Sequence, residues 1–163
     1  MIYSHAVYGA SVVERENVTC LGAGVLACGT VSGAPQPLGV SHGVYGAINT
    51  VTGKVAWSIP IIASIPNSGM AVGGDLVFFG DSDGIFYAAN AATGEILWVF
   101  DALTVPGAGG ASAAPAVYEI DGVEYVVNAF GGSPFWSPLQ GDAVIAFALP
   151  PSKTAAAAKA KTR

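Results

Sequence analysis

The chain has 163 residues, of which 52% are hydrophobic and 10% charged, with a formal net charge of −5. This length can hold one ordinary domain with a sizeable core, and the acidic balance leaves no basic patch for nucleic acid. Glycine and proline interrupt the uncharged region 17–43 before it reaches the roughly 18 apolar residues of a membrane-spanning helix. The N-terminus does not resemble a signal peptide, because Glu14, Arg15 and Glu16 lie where an apolar stretch should be. We therefore expect either a cytoplasmic protein or part of a longer chain.

The composition predicts an all-β fold. Twenty-two glycines accompany few charged residues, which is typical of short strands joined by tight turns. Long amphipathic helices would need lysine and glutamate on their solvent face. The first 42 residues are irregular and glycine-rich, with one or two strands expected. They contain Cys20 and Cys28, which either pair in an oxidising compartment or lie reduced in a core; we favour the second interpretation.

Two short motifs in this first region imitate functional sites. Residues 22–27 resemble a dinucleotide fingerprint, but glycine and proline prevent the helix that must follow, and no acidic residue occurs until Asp75. Residues 39–43 match the letters of a nucleophile elbow around Ser41. That site needs a strand before the serine and a later histidine, whereas His42 is the last histidine of the chain. We expect a flexible turn at residues 39–43, and we attribute the match at residues 22–27 to the richness of this region in glycine.

An internal repeat is the most informative feature of the sequence. Residues 47–57 return 41 positions later as residues 88–98, with alanine, asparagine, threonine, glycine and tryptophan in register. Each copy predicts a hairpin in which Asn49 or Asn90 bonds the backbone of its own turn. Gly53 and Gly94 then supply the positive φ that closes the turn. A second strand follows and ends on a tryptophan, which packs against the neighbouring unit.

Further strands are predicted after the first repeat. Residues 76–80 and 85–89 are apolar strands around the turn Asp81-Ser82-Asp83-Gly84. We expect this turn to be solvated, because the additional ligands of a calcium loop are missing.

The later strands are predicted in the same way. Asp121-Gly122 is a strong hairpin signal between residues 116–120 and 124–128. Residues 143–148 form a last strand before two prolines, and the Ala/Lys tail 151–163 is expected to be disordered because it has no core-forming face.

This spacing of strands indicates a β-propeller. One repeat in about 40–45 residues suits a four-stranded antiparallel blade. The chain has room for about three blades, and closed propellers have roughly 4–8. We therefore predict a partial propeller over residues 43–150, whose ring is completed by remaining blades or by another chain. Residues 1–42 are either an irregular segment or part of a preceding blade.

The repeat A-x-N/D-x-x-T-G-x-x-x-W resembles the tryptophan-docking motif of quinoprotein dehydrogenases. Residues 69–101 are similar to a near-terminal blade of that family, and residues 114–127 to its next hairpin. Residues 141–150 are similar to the closing segment, in which the last strand completes the ring. By this resemblance, which covers roughly residues 43–150, the chain looks like the C-terminal part of a pyrroloquinoline quinone (PQQ)-dependent dehydrogenase.

The resemblance implies a periplasmic, eight-bladed propeller that holds PQQ and Ca²⁺ and oxidises alcohols or sugars. In that family the catalytic aspartate and the calcium ligands belong to earlier blades, and this sequence has no counterparts for them. The resemblance therefore assigns no catalytic or metal-binding residue here, and we expect the chain alone to be inactive. It would supply closing blades and little of the active site.

One loop of the family approaches the cofactor, through an aromatic residue followed by paired glycines. The matching stretch here is Pro66-Asn67-Ser68-Gly69, without the aromatic and the first glycine. By resemblance Asn67, Ser68 and Gly69 are the candidate cofactor-binding residues. The departure favours either a sugar- or quinate-type relative or a loop without cofactor contact. Trp136 lies outside the repeat and is expected in a loop at the propeller mouth or in a surface lid.

Two other functions remain open. A non-enzymatic propeller of the same repeat class would act as a protein-interaction scaffold in the cell envelope. A truncated product would have no function of its own. The closing segment and the long match over residues 69–101 favour the dehydrogenase.

Overall fold

The computed structural model describes residues 1–8, 14–15, 31–32, 42–62, 64–133, 137 and 139–148. Their secondary structure is almost entirely strand, with one short 3-10 helix at Ala102–Thr104. In this part of the chain no helix is long and apolar enough to cross a membrane. The strands are β1 (Ile2–Tyr8), β2 (Glu14–Arg15), β3 (Val31–Ser32), β4 (His42–Ile48), β5 (Val55–Ile61), β6 (Ala71–Gly73), β7 (Leu76–Gly80), β8 (Ile85–Asn90), β9 (Ile96–Asp101), β10 (Ala116–Ile120), β11 (Val123–Phe130) and β12 (Ala143–Ala148).

The strands form three antiparallel sheets and one short ladder, so the all-β prediction is confirmed. The first sheet has the order β1-β4-β5, the second β6-β7-β8-β9 and the third β10-β11-β12, while β2 pairs with β3. The predicted count of four strands a blade is met by the second sheet. The first and third sheets have three strands each among the described residues. The result is an open, partial propeller.

The two repeats are equivalent in structure as well as in sequence. Ala47 pairs with Trp57 and Ala88 pairs with Trp98, and a register shift follows the alanine in both sheets. The tryptophan is the third residue of its strand, so the prediction that this strand ends there was wrong. Pairing with the preceding strand continues to the ends of β5 and β9, although Pro60 of β5 has no amide hydrogen to donate.

The turns of the repeats form as predicted. Asn49 Oδ1 accepts hydrogen bonds from the amides two and three residues later, at 2.9 and 3.1 Å. Asn90 Oδ1 does the same at 2.9 and 3.0 Å. Gly53 and Gly94 have φ of +68° and +76°, a region that glycine enters at little cost. At the third hairpin, Asp121 and Gly122 both have positive φ, as the predicted Asp-Gly turn requires.

The tryptophan of the first repeat connects the first sheet to the second. Trp57 is 8% exposed, and its Nε1 donates to the carbonyl oxygen of Ala91 at 3.0 Å. Its ring lies on the turn of the second repeat, where a Cβ on Gly94 would come within 2.7 Å of Cδ2. The prediction of packing between units is confirmed. The core of this interface consists of Tyr45, Ala47, Trp57, Ile61, Val77, Phe79, Ala89 and Ala91.

The second and third sheets enclose a separate aromatic core. Phe86 lies at its centre and is stacked on Phe147 of the third sheet, with ring centroids 5.7 Å apart. Trp98 contacts the same Phe147 at 5.1 Å but is 39% exposed. The buried members of the core are Phe78, Phe86, Ala88, Ala102, Ala111, Val126 and Phe130. The second tryptophan therefore also packs between units, less completely than the first.

Several predicted features lie outside the described residues. They are the two cysteines, residues 22–27, Gly39, Val40 and Ser41 of the elbow-like motif, Trp136 and the tail 151–163. Near the N-terminus, β1 pairs with β4 along its whole length. The first strand thus belongs to the first sheet.

Candidate functional site

A cleft of about 590 Å³ is lined by β1 of the first sheet and by loops that connect to the second and third sheets. One wall comes from β1, one from the segment that leads into the second sheet, and the others from the segments before β10 and after β11. The lining residues are His5, Val7, Ile65, Asn67, Ser112, Ala113, Gly132 and Ser133. Pockets of this size, at a junction of structural units, are common places for small ligands.

Two polar atoms of the cleft residues have no hydrogen-bond partner among the residues that the structure describes. They are Asn67 Oδ1 and Ser112 Oγ, and both are buried just beneath the surface of the cleft wall. Leaving such a group without a partner costs about 1–3 kcal/mol, and native proteins usually satisfy it with protein, water or ligand. An unpaired amide oxygen and an unpaired hydroxyl, on the segments that lead into the second and third sheets, therefore mark this wall as a place for a polar ligand.

Only Asn67 of the three predicted cofactor-binding residues lines the cleft. Ser68 is 0% exposed, and its hydroxyl lies 2.7 Å from the carbonyl oxygen of Gly69 and 2.9 Å from that of Ala113. Gly69 packs against Ala114, because a Cβ there would be 2.7 Å from the alanine Cβ. Ser68 and Gly69 join the segment that enters the second sheet to the segment that enters the third. They are placed to support the cleft from behind.

Tyr45 holds the Asn67 segment from the first sheet. Its buried hydroxyl donates to the carbonyl oxygen of Gly80 and accepts from the amide of Ser68 at 3.1 Å. Burial raises the pKa of Tyr45 well above its ordinary value, so the phenol stays protonated and keeps its donor. The ring also packs on Phe79, with centroids 4.3 Å apart.

The turn Asp81-Ser82-Asp83-Gly84 forms where predicted, but the expectation that it is solvated was wrong. Asp81 and Ser82 are each 2% exposed, because the segment before β10 covers them. Asp81 Oδ1 accepts from the amides of Asp83 and Ile85 at 3.0 Å, and Tyr87 donates to Oδ2 at 2.9 Å. Burial nevertheless raises the pKa of Asp81 above its usual range. The turn is therefore part of the interior behind the cleft.

The cleft is weakly charged. His5, an exposed residue whose ring lies 5.7 Å from that of Tyr45, is the one titratable side chain among its described lining residues. The described part of the chain contains no group of three or more histidine, cysteine, aspartate or glutamate residues that could hold a metal ion. These residues can hydrogen-bond and orient a ligand, but the lining offers no pair of groups for acid–base catalysis.

Sequence reasoning missed Ser112 and Ser133. Paired glycines precede both serines, and this was the available signal. Gly109 and Gly132 pass so close to the carbonyl of Leu139 that a side chain on either would clash. The paired glycines therefore allow three chain segments to meet at the cleft.

Comparison with known proteins identifies a family for the chain. The family model described as the outer membrane protein assembly factor BamB matches residues 13–147. No curated protein matches the chain. The solved quinohemoprotein alcohol dehydrogenase of Comamonas testosteroni is 31% identical over 74% of this chain and 18% of its own, with a TM-score of 0.54.

Two other solved structures are similar over shorter stretches. A quinohemoprotein alcohol dehydrogenase of Pseudomonas putida HK5 is 37% identical over 57% of this chain and 13% of its own, with a TM-score of 0.47. A europium-containing methanol dehydrogenase is 28% identical over 55% and 15%, also with a TM-score of 0.47. The chain thus spans less than a fifth of each of these proteins. Since the family model matches most of the chain, the chain belongs to the PQQ-type repeat family described as the outer membrane protein assembly factor BamB, and it is similar to one part of a quinohemoprotein alcohol dehydrogenase.

Proposed function

We propose that this chain supplies the closing blades of a PQQ-dependent dehydrogenase that oxidises small alcohols or sugars, and that the cleft is its share of the cofactor site. The observation that carries the proposal is the pair of unpaired buried atoms, Asn67 Oδ1 and Ser112 Oγ, in a cleft built from three sheets. The likeness to the quinohemoprotein alcohol dehydrogenase of Comamonas testosteroni supports it.

The cleft residues fit a quinone of this kind. PQQ is a flat molecule with carboxylate, carbonyl and N–H groups, and the cleft offers an acceptor at Asn67 and a hydroxyl at Ser112. Its volume lies in the range of about 300–1,000 Å³ that is typical of small-molecule sites. When bound, the quinone supplies the two-electron acceptor for alcohol oxidation. The residues of this chain would bind and orient it, and Ca²⁺ would be held by other blades.

We also propose that this chain alone forms only part of the quinone site. No lysine or arginine is found among the described residues that line the cleft, so this part of the wall offers the carboxylates of the quinone no lysine or arginine charge. Large apolar side chains are also exposed on the second and third sheets, including Leu97, Ile120 and Val144. Apolar surface of this kind is often covered at an interface. In our proposal the remaining blades, or another chain, cover it and complete the site in the periplasm.

A titration of the full chain with PQQ and Ca²⁺, followed by amide NMR, tests this proposal. We expect weak binding, with shifts confined to residues 65–69, 111–113 and 132–133. The variant Asn67→Ala should lose these shifts. Asn49→Ala, which alters a turn outside the cleft, should keep them. Shifts centred elsewhere would reject the cleft as the site, and sub-micromolar affinity would contradict the incomplete site.

A second function is favoured by one observation, the match to the model of an outer membrane protein assembly factor. In that case the chain is part of a non-catalytic scaffold of the cell envelope. The same titration separates the two functions, because a scaffold would show no shift at Asn67 or Ser112 with the quinone.

A further inference from the structure

Ser82 lies one layer behind the cleft and is attached to its wall at two points. Its amide donates to the carbonyl oxygen of Ile65 at 3.1 Å, and its Oγ accepts from the Ile65 amide at 3.0 Å. The hydroxyl of Ser64 lies 3.1 Å from the same Oγ. Because Ser82 is buried and does not line the cleft, its contacts are with the wall and not with an occupant.

The same turn is also attached to the opposite walls. Ser137 Oγ donates to the carbonyl oxygen of Ser82 at 2.6 Å, and the Ser137 amide donates to Ser133 at 2.9 Å. The amide of Ala111, next to Ser112, donates to the carbonyl oxygen of Asp81 at 2.9 Å. Hydrogen bonds thus connect Ser82 or Asp81 to three wall segments, directly at Ile65 and Ala111 and through Ser137 at Ser133.

The turn is held by several buried hydrogen bonds. The Asp81 carboxylate accepts from the amides of Asp83 in the turn and Ile85 at the start of β8, and from the hydroxyl of Tyr87. Gly110 leaves no room for a side chain against Ser137 Oγ and the Ser82 carbonyl. A buried network in which each group is paired holds a single arrangement.

We propose that Ser82 is the positioning residue of the cleft. It fixes the segment that carries Asn67 relative to the segments that carry Ser112 and Ser133, so that Asn67 Oδ1 and Ser112 Oγ serve one ligand. The identity of that ligand rests on the proposed function, whereas the coupling between the walls does not.

Amide hydrogen exchange on the full chain tests the coupling. In Ser82→Ala the half-buried Ile65 amide loses its acceptor, and we expect its exchange to rise about tenfold or more. The decisive expectation is that Ala111 and Gly132, which Ser82 Oγ does not touch, also exchange faster. Ser64→Ala is the matched control, since it removes the neighbouring hydroxyl and keeps both bonds between Ser82 and Ile65.

A second variant perturbs the hydrogen bonds from the opposite wall, and it tests the coupling if Ser82→Ala does not fold. Ser137→Ala removes the bond to the Ser82 carbonyl, and we expect faster exchange at Ile65, which Ser137 does not contact. Acceleration confined to the residues next to each substitution would overturn the proposal. If the walls prove coupled but the wild-type chain shows no quinone-dependent shifts, the positioning role stands and the proposed quinone function fails.

Discussion

The two glycines of the repeats offer a comparison in which the sequence motif is constant and the surroundings differ. Gly53 and Gly94 occupy the same place in the same turn, with φ of +68° and +76°. A Cβ on Gly53 would meet nothing within 4 Å. A Cβ on Gly94 would lie 2.7 to 2.9 Å from three atoms of the Trp57 ring.

The expected losses in the free energy of unfolding follow from these two environments. An alanine at positive φ costs about 1–2 kcal/mol, partly offset by its less flexible unfolded chain, so Gly53→Ala should destabilise by about 1 kcal/mol. Gly94→Ala carries the same backbone cost and in addition must displace a buried indole ring. Overpacking of this kind costs about 1–3 kcal/mol more. We therefore expect a total of about 2–4 kcal/mol for Gly94→Ala.

Urea unfolding of the two variants, with the free energy of unfolding extrapolated to water, measures the difference. In a Trp57→Ala background the cost of Gly94→Ala should fall to that of Gly53→Ala, because the clashing atoms are gone. Equal costs in the single variants would refute the idea that the tryptophan docks on this turn. The single variants decide the question even if Trp57→Ala leaves the chain unfolded.

Two further predictions concern buried polar groups. Burial raises the pKa of Asp81 in the folded chain, so the folded chain keeps a proton there at pH values where the unfolded chain has lost it. The resulting stabilisation is present at low pH and is lost as the pH rises through the raised pKa. Asp81→Asn should therefore become more stable relative to wild type as the pH rises above about 4, the pKa of an aspartate in an unfolded chain, measured by unfolding at each pH. The opposite trend would show that the carboxylate is net stabilised. Tyr45→Phe should cost about 1–3 kcal/mol in chemical unfolding, because it leaves the amide of Ser68 and the carbonyl of Gly80 unpaired. Tyr118→Phe, at an exposed tyrosine, should stay within about 0.5 kcal/mol, and similar losses in both variants would contradict the buried network.

The sequence predicted the features that are decided within one hairpin. The asparagine, threonine and glycine of each repeat act on backbone groups a few residues away, and their turns form as expected. The strand β12 was predicted with its observed bounds because prolines and glycine flank its apolar residues. The three-residue β6 was missed, since it is too short for a pattern and depends on its pairing with β7.

The cleft was predicted only in part, because it depends on which distant segments meet. Asn67 was singled out through a family resemblance, but Ser112, which lines the same cleft, lies 45 positions later in the chain. The burial of Asp81 and Ser82 likewise depends on the segment 109–111, which covers them. A polar turn looks solvated in a sequence unless the segment that packs on it is known.

The joint between Trp57 and the turn of the second repeat has a consequence for how such chains change over evolutionary time. The indole ring of the first unit lies on the turn of the second unit, and both copies of the repeat carry a turn and a tryptophan in the same register. Trp98 instead packs on Phe147, a strand residue of the third sheet. Because turn and tryptophan lie within one copy of the repeat, the gain or loss of a whole copy keeps them in register. A shift of a few residues would separate the tryptophan from the turn on which it packs.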